Sequence, residues 1–227
     1  MQKSGIENLK SDIKDICRKA GRDTGDIKLI AASKYTDAQG ILEALRLGIK
    51  DFAENRADAI AEKYSIVGNK VTWHFIGHLQ SRKAKIVVPI AEYIHSCDSP
   101  DIMEAINKQA LAIGKIQKVL IEVNISGEES KFGLHPERLQ GFIKDALKFK
   151  NICICGLMTM APLSEDAVLI RNVFKNLRLL RDKTIKGFEL YKEGKALNEL
   201  SMGMSNDYKI AIEEGATMIR IGSLIFS

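Results

Sequence analysis

Ile27-Lys-Leu-Ile-Ala-Ala-Ser-Lys-Tyr-Thr-Asp37 is an apolar run that ends on a lysine and passes toward a helical stretch without a glycine. Such a run, apolar with little alternation, is what a parallel strand covered on both faces looks like. The turn after it narrows the fold. A doubly wound open sheet needs a topological switch point and commonly opens on a Gly-rich first turn. Lys34-Tyr-Thr-Asp37 supplies no glycine.

Further runs of the same kind follow at regular intervals. The expected strands are Ile27–Ser33, Lys50–Glu54, Val71–Ile76, Tyr93–Cys97, Lys118–Val123, Ile152–Met158, Asn198–Met202 and Thr217–Ile221. Helical patterns lie between them. Ile41, Leu42 and Leu45 share a face and the pattern stops at Gly48, a residue suited to ending a helix. Asp101–Ile113 follows Ser99-Pro100, read as a capping serine and an N1 proline. Pro136–Phe149 and Ala167–Thr184 are longer examples, and Asn8–Ala20 precedes the first strand. Eight strands and eight helices in strict alternation predict an α/β chain folded as a single (β/α)8 TIM-type barrel. The extra N-terminal helix would fill the ring position that a helix after the eighth strand otherwise takes.

The 227 residues are 45% hydrophobic and 28% charged, with no Pro/Gly/Ser-rich linker, so one domain over 1–227 is expected. The net charge of +5 favours anionic small molecules. No Lys/Arg run is interleaved with aromatics, so nucleic acid is not expected. Met1–Lys19 is polar and amphipathic rather than a secretory leader, and no apolar run reaches membrane-spanning length. A cytoplasmic protein with no membrane partner is the expectation, and a monomer, since no long apolar face is left over. The four cysteines are Cys17, Cys97, Cys153 and Cys155, of which Cys153 and Cys155 read as two thiols packed on one strand face. Zinc would want a second close pair or histidines in register.

In a barrel of this kind, function is built where the strands end. Those positions hold Lys34, Asn55, His74 with Gly77, Ser96 with Asp98, Asn124, Met158-Thr-Met160, Ser201 with Met204-Ser205, and Arg220 with Gly222-Ser223. Apolar strands need no such polar ring for their own sake. Lys34 has two readings: a lysine leaving for solvent, or one partly desolvated at the barrel mouth and so a nucleophilic amine. The loops after strands seven and eight favour the second. Ser205-Asn-Asp207 precedes a short helical stretch that Ser205 or Asn206 would cap, Gly222 permits close backbone approach, and Ser223 offers a hydroxyl. Together they form the usual phosphate site of this fold. Arg220, between Ile219 and Ile221, is either a fixed donor in the mouth or half of an internal salt bridge with Glu54 or Asp98. His74 and His78 stand four apart, but Gly77 argues against a helix and no glutamate completes a metal motif. His74 is read as lining the barrel, His78 as a loop residue.

These residues carry a resemblance. Ala32-Ser-Lys34, Phe52-Ala-Glu-Asn55, Trp73-His-Phe-Ile-Gly-His-Leu-Gln80, His95-Ser-Cys-Asp98, Val123–Gly133, Gly156-Leu-Met-Thr-Met160, Leu200–Asp207 and Ile219-Arg-Ile-Gly-Ser223 resemble, in order, the pyridoxal phosphate homeostasis family. The barrel of that family is similar to the N-terminal domain of alanine racemases. The resemblance implies a PLP fold type III-like barrel with pyridoxal 5′-phosphate (PLP) as cofactor, held as a Schiff base on Lys34. It implies Arg220 at the pyridine nitrogen, Ser205, Gly222 and Ser223 on the phosphate, and Asn55 and Met204 around the ring. Expected partners are PLP and the PLP-dependent apo-enzymes that would receive it. Three positions depart from the family pattern: Ala53 where glycine is common, Arg82 where asparagine is usual, and an end at Phe226-Ser227.

A carboxylate at the pyridine nitrogen keeps it protonated and makes the ring a strong electron sink, whereas an arginine only donates. Racemases with that arginine add acid–base groups, one of them from a second domain, for which this sequence is expected to have no room. Tyr35, following the lysine, is expected to point elsewhere. The leading expectation is therefore a PLP carrier or buffer with no robust catalysis. A minimal PLP-dependent racemase or deaminase, and a class I Schiff-base aldolase, are the alternatives.

Overall fold

The computed structural model describes residues 3–129, 131–188 and 197–226, so Ser130 of the Val123–Gly133 stretch and Ser227 lie outside the described residues. The strands are β1 (Lys28–Ala32), β2 (Asp51–Glu54), β3 (Thr72–Phe75), β4 (Tyr93–Cys97), β5 (Gln117–Glu122), β6 (Ile152–Met158), β7 (Glu199–Ser201) and β8 (Met218–Ile221). Each matches an expected run to within one residue at either end. They pair in chain order, all parallel, and β8 returns to β1. The sheet is a closed eight-stranded barrel.

The helices are α1 (Lys3–Lys19), α2 (Ala38–Arg46), α3 (Ala57–Val67), α4 (Ala84–Val87), α5 (Pro100–Ala112), α6 (Leu139–Ala146), α7 (Ala167–Phe188), α8 (Tyr208–Glu213) and α9 (Ser223–Phe226). Helix α1 starts earlier than the expected Asn8. It buries Ile6, Leu9, Ile13 and Cys17, a stripe at helical spacing, and packs on α8 and α9. Its Asp12 accepts from the Tyr208 hydroxyl at 3.1 Å and pairs with Lys209 at 3.2 Å. The expected ring position is thus filled by α1, but a ninth helix, α9, also opens directly after β8. The expected Pro136–Phe149 helix is a 3-10 turn over Pro136–Arg138 followed by the shorter α6.

Helix ends correct one expectation and support another. Ser99 sits at the N-cap of α5 with Pro100 in the first turn, yet its side chain makes no capping bond. Asp37 caps α2 instead as expected of its type, accepting from the Gly40 amide at 2.9 Å. Gly48 follows α2 at φ 83°, the left-handed conformation that ends helices.

Strand alternation sorts side chains into two layers. Phe52, Trp73, Phe75, Ile94, Val119, Ile121, Leu157, Leu200, Ile219 and Ile221 pack between sheet and helices. Ile30, Ala53, Leu120, Met158 and Met218 form a thinner cluster inside the barrel. Burying a large apolar side chain contributes roughly 1.5–3 kcal/mol, so the outer layer dominates stability. The inner layer is different in kind: it shares the barrel with buried His74, His95, Ser201, Glu122 and Arg220. Ala53 is accommodated there as an ordinary strand residue. The Cys153 and Cys155 sulfurs lie 3.7 Å apart on β6, on one face as the spacing predicts. Among the described residues, no helix is long and apolar enough to cross a membrane.

Candidate functional site

The chain leaving β1 is tied down before it reaches Lys34. The buried Ser33 amide donates to the Ala53 carbonyl at 2.9 Å, and its hydroxyl to the Glu54 carboxylate at 2.7 Å. Lys63 of α3 donates to the Ser33 carbonyl at 2.7 Å and forms an ion pair with Glu54, with both side chains largely withdrawn from water. Lys34 itself lies in the turn beyond the strand and is exposed. The expected desolvation at the mouth is therefore not what the fold provides. Its Nζ sits over the Tyr35 ring, 4.7 Å from the centroid, and Tyr35 lines the same cavity, contrary to the expectation that it points elsewhere.

That cavity, about 370 Å³, opens at the C-terminal mouth of the barrel and is lined by all seven candidates: Lys34, Asn55, Met204, Ser205, Arg220, Gly222 and Ser223. The volume suits a small cofactor. A larger, more open hollow of about 860 Å³ lies at the opposite mouth and includes none of the seven. Asn55 is placed by β2 and by a close approach of the next loop. A Cβ on Gly77 would stand 1.9 Å from the Asn55 carbonyl oxygen, so only glycine fits there.

Arg220 forms the floor. Alternation along β8 turns it inward, and it is 4% exposed. Its Nη1 donates to the Ser201 hydroxyl oxygen at 2.6 Å and its Nη2 to the Thr159 carbonyl at 3.1 Å. Burial lowers its pKa to about 10, opposed by Asp207 and Glu122, and it stays a cation at neutral pH. The salt bridges considered from sequence do not form: Glu54 serves Lys63, and Asp98 faces His78 at 3.9 Å. His78 also stacks on Phe132. Glu122, buried on β5, has its pKa pushed up to about 7 by burial and by Asp98, with Arg220 opposing.

The polar end is made by the loops after β7 and β8. Gly203, at φ 95°, brings its backbone against α8, where a Cβ would meet that of Ala211 at 2.5 Å. Neither Ser205 nor Asn206 caps α8. Asp207 occupies the N-cap, and its carboxylate accepts from the Met204 amide, closing the loop on itself. Ser205 and Asn206 instead line the cavity beside Gly222 and Ser223, where α9 begins. The leading amides of a helix have no intrahelical partner and serve an anion well. The sequence reading missed the wall formed by Ala161, Pro162, Leu163 and Ser164 after β6. Leu163 is 95% exposed there, a loop leucine that joins no core. Arg82 does not line the cavity; it donates to Gln80 at 3.2 Å. Among the described residues, no group of three His, Cys, Asp or Glu is set to hold a metal.

An exposed amine faces a polar two-loop end over an arginine floor, a donor set that fits a phosphorylated aldehyde with a basic ring nitrogen. The model of the family described as alanine racemase, N-terminal domain, matches residues 6–227. A pyridoxal phosphate homeostasis protein of Aquifex aeolicus is 40% identical over 222 residues, covering 97% of this chain and 95% of the relative. This chain belongs to the pyridoxal phosphate homeostasis family. Another family member, from Pseudomonas aeruginosa, is 33% identical over 97% of this chain and 93% of its own length. PipY of Synechococcus elongatus, solved with PLP bound, superposes with a TM-score of 0.82 at 30% identity, over 95% of this chain and all of that one. An alanine racemase of Clostridium difficile has a TM-score of 0.72 at 16% identity, and this chain covers 98% of itself but 56% of the racemase. That likeness is one of fold.

Proposed function

We propose that the whole chain acts as one PLP-binding domain that holds PLP in the C-terminal cavity and serves PLP homeostasis by buffering or delivering it, without robust catalysis. Lys34 would bond to the aldehyde carbon as a Schiff base, releasing water. Ser205, Gly222 and Ser223 would hold the phosphate, Asn55 and Met204 would flank the ring, and Arg220 would donate to the pyridine nitrogen. Bound PLP supplies an aldehyde for amines and a ring that withdraws electrons.

The observation that carries the reading is Arg220 held as a buried cation at the floor. A guanidinium donates and does not accept a proton, so the ring nitrogen stays neutral and the electron sink stays weak. The titratable side chains among the described residues lining the cavity are Lys34, Tyr35, Asp207 and Arg220. Asp207 is engaged by the Met204 amide. An amino acid that took the aldehyde from Lys34 would free the lysine amine, so Lys34 and Tyr35 are the two groups that a minimal racemase would have to use to move protons at a substrate carbon.

The test is to load the protein with PLP and follow two things. Loss of an α-deuterium from common amino acids is expected at a rate far below ordinary enzyme turnover of about 1–10³ per second. Transfer of PLP to an apo-enzyme is expected to restore that enzyme's activity. Rapid α-exchange would instead establish the racemase or deaminase reading, and its loss in Tyr35→Phe would assign one of the proton transfers to Tyr35.

A further inference from the structure

A single file of buried polar groups crosses the barrel interior behind Arg220. Its Nη1 donates to Ser201 Oγ at 2.6 Å; Ser201 Oγ lies 2.8 Å from His95 Nδ1; His95 Nε2 lies 2.9 Å from His74 Nδ1; His74 Nε2 lies 3.0 Å from Asp51 Oδ1. His74, His95 and Ser201 are fully buried, while Asp51 borders the large hollow at the opposite mouth. The file therefore connects the floor of the PLP cavity to solvent on the far side.

We propose that Ser201, His95, His74 and Asp51 are positioning residues for the PLP site, forming a one-directional hydrogen-bond chain whose far carboxylate fixes how Arg220 is presented. The proposal rests on the reading that PLP binds with its ring nitrogen at Arg220. The direction follows from the two ends. Arginine can only donate and a carboxylate can only accept. His74 therefore carries its proton on Nε2 and accepts on Nδ1. His95 in turn carries its proton on Nε2 and accepts on Nδ1, which takes the Ser201 hydroxyl proton. Ser201 Oγ is left with a lone pair for the guanidinium, and each group has one role. A proton added to either ring breaks the sequence, and burial lowers both ring pKa values. The charged groups facing His74 are Asp51, Lys28 and Glu92, with Tyr93 stacked on it at 4.9 Å between ring centroids. Those facing His95 are His74, Arg220 and Lys28. Every cation in that set opposes a second proton.

A chain of this kind makes a remote prediction that packing does not. The sequence has 4 histidines, so two-bond ¹⁵N–¹H spectra of the PLP-loaded wild type resolve each ring. His74 and His95 are expected as neutral Nε2–H tautomers at neutral pH. In Asp51→Asn, whose amide can donate or accept, the ¹⁵N shifts of His95 are expected to move although Asp51 does not touch it. Ser201→Ala should loosen PLP by about tenfold, the worth of one buried hydrogen bond to a charged group. An Nδ1 proton on either wild-type ring, an imidazolium, unmoved His95 shifts in Asp51→Asn, or unchanged PLP affinity in Ser201→Ala each overturns the proposal. Borohydride labelling run alongside separates the two failures. Label on Lys34 with any of those results sinks the chain and leaves PLP binding standing. Absence of label sinks the functional reading and the chain's role with it.

Discussion

Glu122 shows how a single buried carboxyl can oppose folding once it ionises. Its carboxyl has a pKa near 7 in the fold against an ordinary value of 4.5. A raised folded value means that its contribution to stability is fully present below pH 4.5 and is lost as pH rises through 7. Glu122→Gln never ionises, so it should be about 2–3 kcal/mol more stable than wild type at pH 8 and little different at pH 4.5. Urea denaturation at the two pH values checks this, and parallel pH dependence in both proteins would refute it. Glu54 is the opposite case. Glu54→Ala leaves Lys63 largely buried with the Ser33 carbonyl alone, and about 3–5 kcal/mol should be lost. Equilibrium denaturation again measures it. Because Ser33 precedes Lys34, the same variant should bind PLP more weakly.

At the scale of elements, the loops rather than the strands place the site. Gly77→Ala would drive a Cβ into the Asn55 carbonyl, so the loop after β3 must move or Asn55 must yield. A loss of about 1–3 kcal/mol in thermal or urea unfolding is expected, with weaker PLP binding, whereas an unaltered protein would show that the contact is not required. The strands were legible because burial on both faces leaves an unmistakable apolar run, and all eight landed within a residue. The helix ends were less so. Ser99 has the right type for a cap but makes no capping bond, and the N-cap position of α8 falls on Asp207 rather than Ser205 or Asn206, with its carboxylate turned back to the Met204 amide. Side-chain type suggests a cap, but the loop's own geometry decides which oxygen reaches an amide. Lys34 was singled out by the loops after β7 and β8 and by the family motif rather than by position alone, and the desolvation then expected of it is absent because the strand stops at Ala32. The Ser201–His95–His74–Asp51 file was invisible, since its members come from four strands and only barrel closure brings them into line.

At the scale of the molecule, the barrel separates two duties. The outer apolar layer carries stability, which frees the interior for polar residues that a small core could not otherwise tolerate. Within it, Arg220 is fixed from behind, and the loops after β6, β7 and β8 enclose a cavity whose seven candidate residues come from distant parts of the chain. On the proposed reading, holding PLP and using it would be separable: a cation at the ring nitrogen would secure the cofactor while weakening it as an electron sink. The measurement that bears most directly on this account is peptide mapping of PLP-loaded protein after borohydride reduction. The account predicts a pyridoxyl group on the peptide carrying Lys34, with loss of the visible absorbance band on reduction. A pyridoxyl group on another lysine, or a Lys34→Ala protein that keeps its colour, would contradict it.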